Sequence, residues 1–191
     1  VAGIEAVMLT GIQRSAAISS CGTYRWTLTR RWDDRPVLLV AMFGPSTAND
    51  KVDDPTISLV CQIAAHNGYG GIVVVNGIPL RSSRPAPQFA MLEWHKTSEW
   101  SDRDRLQENL GVVAGEAARA GAALVAWGAL AGKTVSSAEW FDVVREEIEG
   151  ALPDGAPLLC LGKTAAGYPL HPLARGKLKG PKDAPLLPCS T

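Results

Sequence analysis

Val37-Leu38-Leu39-Val40-Ala41-Met42, running through Phe43 into Gly44-Pro45-Ser46-Thr47-Ala48-Asn49-Asp50, is the stretch that sets the fold class. An uninterrupted apolar run between Pro36 and Gly44 suits a strand buried on both faces, as in a parallel sheet covered by helices on either side. Gly71–Val75, Ala122–Trp127 and Pro157–Leu161 read the same way. Each gap between these strands holds a helical pattern. Pro55 suits a first helical position after Asp53 and Asp54, with Ile57, Val60, Cys61 and Ala64 as the apolar face and Gly68 as the stop. Ser101 can cap a second helix, in which Leu106, Leu110, Val113, Ala114 and Ala117 form a stripe ending before Gly121. Ser136 or Ser137 can cap a third, with Trp140, Phe141, Val144 and Ile148 facing inward. Upstream, Gly22–Trp32 alternates as an antiparallel strand or hairpin arm does.

The expected architecture is a three-layer α/β/α sandwich around a central, mostly parallel four-stranded sheet, with an N-terminal antiparallel strand or hairpin. One α/β domain is expected over residues 1–191, with an extension over 1–20 and a surface-wrapping tail over 174–191. A chain of 191 residues buries roughly 70% of its unfolded surface and needs no staples. With 46% hydrophobic and 20% charged residues, the composition is that of a globular protein rather than a disordered one.

Nineteen basic residues balance nineteen acidic ones, which excludes a uniformly basic nucleic-acid coat but not a local basic patch. Arg175, Lys177, Lys179 and Lys182 crowd one short segment, while acids collect from Glu139 to Glu149. The four cysteines are widely scattered and no Cys/His pair has ligand spacing, so no metal and no cofactor is expected. Free thiols fit a cytoplasmic setting. Glu5, Gln13 and Arg14 interrupt the first apolar stretches, so neither a signal peptide nor a membrane span is expected.

In a parallel sheet, ligands bind outside the carboxyl ends of the strands, which directs attention to four loops. The first, Phe43 to Thr56, carries small residues, hydroxyls and Asp50, Asp53 and Asp54; it lacks a GK[ST] and so is no Walker loop. Asp53 or Asp54 can serve either as a base or as a helix cap. Phe43 can be a stacking wall or core. The second loop opens on Asn76, whose amide can read a pyrimidine edge or hold its own loop. It continues through Arg81, Ser82, Ser83 and Arg84 to Pro85. The third, Gly128–Lys133, is mostly small. The fourth runs from Gly162 and Lys163 to His171, stiffened by Pro169 and Pro172. A fixed imidazole there can donate to an oxygen gaining negative charge. The basic run after it can grip a phosphate backbone or be simply solvated.

Two resemblances rest on these motifs. Cys21-Gly22, Tyr24-Arg25-Trp26, Met42 to Ala48, Asp53-Asp54-Pro55-Thr56, Gly68-Tyr69-Gly70-Gly71, Ala126-Trp127-Gly128 and His171-Pro172-Leu173 resemble the signature of the bacterial domain of unknown function 1643 family. The match spans about residues 20 to 175. In motif order the chain is more distantly similar to the uracil-DNA glycosylase superfamily: Phe43-Gly44-Pro45-Ser46, Asn76 before an Arg, a strand into Gly128, and His171-Pro172. That resemblance implies a DNA base glycosylase for a deaminated or modified pyrimidine, and a monomer is expected. In it Asn76 reads the base, with Phe43, Gly44, Pro45, Ser46 and Thr47 around it, and His171 donates to the leaving base. Asp54 or Asp53 positions water, and Arg81, Lys163, Arg175, Lys177 and Lys179 contact DNA. The chain departs from the pattern at Gly44, where many superfamily members carry Asn or Asp. Asp50, Asp53 or Asp54 supplies that function instead, or hydrolysis is impaired, or the domain binds a nucleic acid, nucleotide or other ligand without cleaving it. A third class is an enzyme of free nucleosides.

Overall fold

The computed structural model describes residues 11–93, 100–174, 176 and 180–189. It shows a mixed α/β fold with one seven-stranded sheet and four α-helices. In chain order these are β1 (Gln13–Ile18), β2 (Arg25–Arg31), β3 (Val37–Met42), α1 (Pro55–His66), β4 (Gly71–Asn76), α2 (Pro85–Leu92) and α3 (Trp100–Ala117). There follow β5 (Ala122–Val125), a 3₁₀ turn (Gly128–Gly132), α4 (Val135–Ala151), β6 (Leu158–Cys160) and β7 (Leu187–Pro188).

The strand order is β1-β2-β4-β3-β5-β6-β7. The four apolar runs pair in parallel, β4 with β3, β3 with β5 and β5 with β6. The sheet is nevertheless larger than the four-stranded one expected. The hairpin β1–β2 joins it antiparallel to β4, and β7 closes the other edge against β6. Part of the N-terminal extension and part of the tail are therefore edge strands. Both suit an edge: β1 is polar and mostly exposed, and β7 is two residues long and contains a proline.

Side chains alternate across the sheet as a period of two requires. Leu38, Val40, Ile72, Val74, Ala122 and Leu124 pack with Ile57, Val60, Cys61 and Ala64 of α1. Leu39, Ala41, Val75, Ala123 and Val125 pack with Met91 and Leu92 of α2, Leu106, Leu110, Val113 and Ala117 of α3, and Phe141, Val144 and Ile148 of α4. The anticipated stripe of α1 is buried throughout, and those of α3 and α4 are buried except for half-buried Ala114 and Trp140; Ser101 lies within α3 rather than capping it. Asp54 is the N-cap of α1, its side chain accepting from the Ile57 N–H at 2.9 Å, and Pro55 begins the helix. For α4 the cap is Thr134 rather than Ser136 or Ser137; Ser137 instead completes a reciprocal capping box at the third helical position.

The chain order runs from β3 to β4 on one side, then crosses to β5 on the other side of β3. The crevice created by that reversal opens at the carboxyl end of β3, where Met42 leads into Phe43 and Gly44. Among the described residues no helix is long and apolar enough to cross a membrane.

Candidate functional site

A cavity of about 170 Å³ sits at that carboxyl end. Its enclosed volume is smaller than the roughly 300–1,000 Å³ of a drug-sized cleft, so it encloses one ring or one compact polar group while the rest of a larger ligand extends through its open side. Phe43, Gly44, Ser46, Asp54, Thr56, Ser82, Arg84, Gln88, Leu130 and His171 are among its lining residues. Loops after β3, β4, β5 and β6 all contribute, although they are far apart in sequence.

Backbone hydrogen bonds fix these loops to one another. Gly77 and Ile78 donate to the carbonyls of Met42 and Phe43, and Ser82 donates to that of Pro45. The Gly128 N–H donates to the Pro169 carbonyl at 2.9 Å. Gly128 has φ +74°, and a Cβ there would stand 2.9 Å from the Cβ of His171. Only glycine meets both demands.

His171 is oriented by its own loop. Its Nδ1 accepts from the Leu173 N–H at 3.1 Å, which places the neutral ring's proton on Nε2. Burial lowers its pKa below the ordinary 6.5, and the nearby charge of Asp54 counters this more weakly. The imidazole is therefore a neutral donor at physiological pH. Stability follows with a definite sign. A depressed folded-state pKa means that the unfolded chain binds more protons, so stability present above pH 6.5 is lost as the pH falls toward the folded value. Denaturation midpoints of the parent should fall across that window by more than those of His171→Gln. Equal slopes would contradict the burial of a neutral ring.

The other expected site residues divide. Asp54 lines the cavity; Asp53 does not. The Asp53 carboxylate bridges Arg14 and Arg30, the latter fully buried at 2.7 Å. Phe43 lines the cavity but is only 5% exposed, its ring stacked at 5.3 Å on Phe141 and tilted against Phe89. Ser46 lines the cavity, Pro45 is buried beside it, and Thr47 and Asp50 are exposed away from the lining. Asn76 is 1% exposed, outside the lining, with its Oδ1 accepting from Arg25 Nη2 at 2.9 Å. Arg81 is half-buried, its Nη1 donating to the Gly22 carbonyl, and Lys163 is exposed on the β6 loop. Arg175, Lys177 and Lys179 lie outside the described residues. Among the described residues no group of three or more His, Cys, Asp or Glu could hold a metal ion.

Two lining residues escape the sequence reading. Arg25 faces the cavity because β2 carries a bulge: Ala17 pairs with Thr27 but Ile18 pairs with Arg25, leaving Trp26 as the extra residue. Strict alternation from Leu28 and Arg30 would put Trp26 inward; the bulge puts Arg25 there instead. Gln88 explains Gly44. A Cβ on Gly44 would lie 2.3 Å from Gln88 Nε2, and that amide is held by the carbonyl of Leu80 at 2.9 Å. Gly44 thus makes room for a buried carboxamide arriving from α2. Gly44→Ala should cost about 1–3 kcal/mol through overpacking, read as a lower denaturant midpoint at unchanged m-value.

No curated protein and no solved structure matches the chain. Residues 25–173 do match a family, and they take in every strand that builds the cavity together with His171 itself. The chain therefore belongs to the family described as protein of unknown function DUF1643.

Proposed function

We propose that the chain is a DNA base glycosylase-like hydrolase that cleaves the N-glycosidic bond of a deaminated or modified pyrimidine. The observation that carries this reading is the meeting of a neutral, Nε2-protonated His171 with Asp54 and the Phe43–Ser46 loop in one ring-sized cavity. Departure of a base leaves negative charge on its oxygen and positive charge on the sugar. A fixed neutral donor is suited to the first, and a carboxylate that orients water is suited to the second. A flipped base enters beside Phe43. Asn76 lies outside the lining, so edge contact in this reading falls to the amide of Gln88 and the hydroxyl of Ser46, both at the wall. In this reading Arg81, Arg84 and Lys163 contact the DNA, and the sequence adds Arg175, Lys177 and Lys179 to them. The accompanying fold reading is a three-layer sandwich of the uracil-DNA glycosylase type, with α1 as one outer layer and α2, α3 and α4 as the other. The test is incubation with single- and double-stranded oligonucleotides carrying uracil or modified pyrimidines, followed by alkaline cleavage at abasic sites. Strand scission at the modified position supports the reading; none at any pyrimidine overturns it.

Gly44 favours a second reading, a nucleic-acid or nucleotide-binding module without hydrolysis, because residue 44 itself brings no carboxamide or carboxylate to hold water and the Gln88 amide beside it is tied to the Leu80 carbonyl. Salt-dependent DNA binding with no base release would select it.

A further inference from the structure

Arg25 is 2% exposed, yet no carboxylate pairs with it among the described residues. Its Nη1 donates to the Ala48 carbonyl at 3.0 Å and its Nη2 to Asn76 Oδ1. Arg25 can only donate, so this bond fixes the Asn76 amide with Nδ2 turned away. Arg25 Nε and Asn76 Nδ2 are both buried donors with no acceptor, as is Nε of Arg81. Burial pulls the Arg25 pKa down to about 10, the charges of Arg81 and Arg30 push the same way, and Asp54 opposes them. The guanidinium remains a cation at neutral pH. A buried cation without a counter-charge costs several kcal/mol, and orphaned buried donors are rare in folded chains.

The surroundings match. Arg84 lines the same cavity and is exposed at its mouth. Arg84 is also the N-cap of α2 and supplies no side-chain cap. Thr56 and Ile57 bring the N-terminus of α1 to the wall, and Ser46 and Thr56 add hydroxyls. Asp54 is the one acid in the lining, and its Oδ1 is engaged as the α1 cap. Positive charge and donors therefore outnumber acceptors around Arg25.

We infer that this cavity binds an anion at Arg25, the phosphate group of a nucleotide, with Asn76 as the residue that positions the guanidinium. The inference rests on the cavity being the ligand site and deepens the glycosylase reading by naming a phosphate-bearing substrate. It does not depend on bond cleavage. The phosphate can be the diester of a strand or the monoester of a free nucleotide.

Calorimetric titration at fixed ionic strength with deoxyuridine, deoxyuridine 5′-monophosphate and a thymidine dinucleotide tests it. At least one phosphate-bearing probe should bind about 10- to 100-fold tighter than deoxyuridine, the worth of a charge-assisted hydrogen bond to a buried donor. The tighter of the two identifies monoester or diester. Arg25→Met should erase the preference. Should that variant not fold, Arg25→Lys, which keeps the charge and loses the fork, should shrink it at least several-fold. Deoxyuridine binding as tightly as both phosphates, no binding of either phosphate at millimolar concentration, or a preference unchanged in the Arg25 variant overturns the inference. A phosphate preference without base release would overturn the hydrolase reading alone.

Discussion

Asp53→Asn should lower the unfolding free energy by about 3 kcal/mol, the low end of the cost of breaking a buried ion pair. Arg30 is fully buried in β2, and Asp53 is the carboxylate that neutralises it, 2.7 Å away and 17% exposed. The remaining Arg30 contacts are backbone carbonyls, of Ser15, Thr29 and Asn49. These satisfy hydrogens without supplying charge. The amide of Asn would leave a formal cation inside the protein, next to the bond that ties β1 to the α1 loop through Arg14. For a chain of this size the loss corresponds to a melting point roughly 6–12 °C lower. Since Asp53 lies outside the cavity, the folded variant should match the parent in the proposed base release. A change in rate with no change in stability would return Asp53 to the catalytic role expected from the sequence.

His171→Ala should slow base release by about 10²–10³-fold, the usual consequence of removing one preorganised donor from a developing oxyanion. Ala174 donates to the His171 carbonyl at 2.8 Å whatever the side chain, and the substitution removes only the ring acceptor of the Leu173 N–H, a cost of about 1–3 kcal/mol. The variant should therefore fold. Because the donor is a neutral ring with a lowered pKa, single-turnover rates of the parent should hold steady as the pH falls through 6.5 and change only as it nears the lower pKa of the folded ring. Substrate affinity, measured separately, should change less than rate. Loss of binding with rate per bound complex intact would make His171 a contact rather than a donor.

Strands β3, β4 and β5 were legible because residues buried on both faces leave no polar interruption, and α1 because Asp54-Pro55 combines a cap with the one position where proline helps. The loops that meet at the cavity followed from the parallel sheet itself. Four features were not legible, each for a local reason. Helix α2 begins Pro85-Ala86-Pro87 and spans eight residues, a composition that reads as loop. Strand β7 is stabilised by its neighbour β6 rather than by its own pattern. Arg25 was hidden because a bulge breaks alternation where one inserted residue decides which side chain faces in. The pairing of Gly44 with Gln88 joins positions 44 residues apart through a single contact, and nothing in either segment announces the other. Asn76 shows the opposite limit. Its place at the end of a strand was readable, but not that Arg25 would occupy its acceptor and stand in the cavity lining in its place.

The most direct measurement of the central claim is mass-spectrometric detection of free base released from uracil- or modified-pyrimidine-containing strands by the parent, Asp54→Asn and His171→Gln. Release by the parent with a drop of at least about 100-fold in both variants is the result expected when a carboxylate and a neutral donor share the work. No release by the parent, or equal release by all three, would contradict a catalytic role for this cavity.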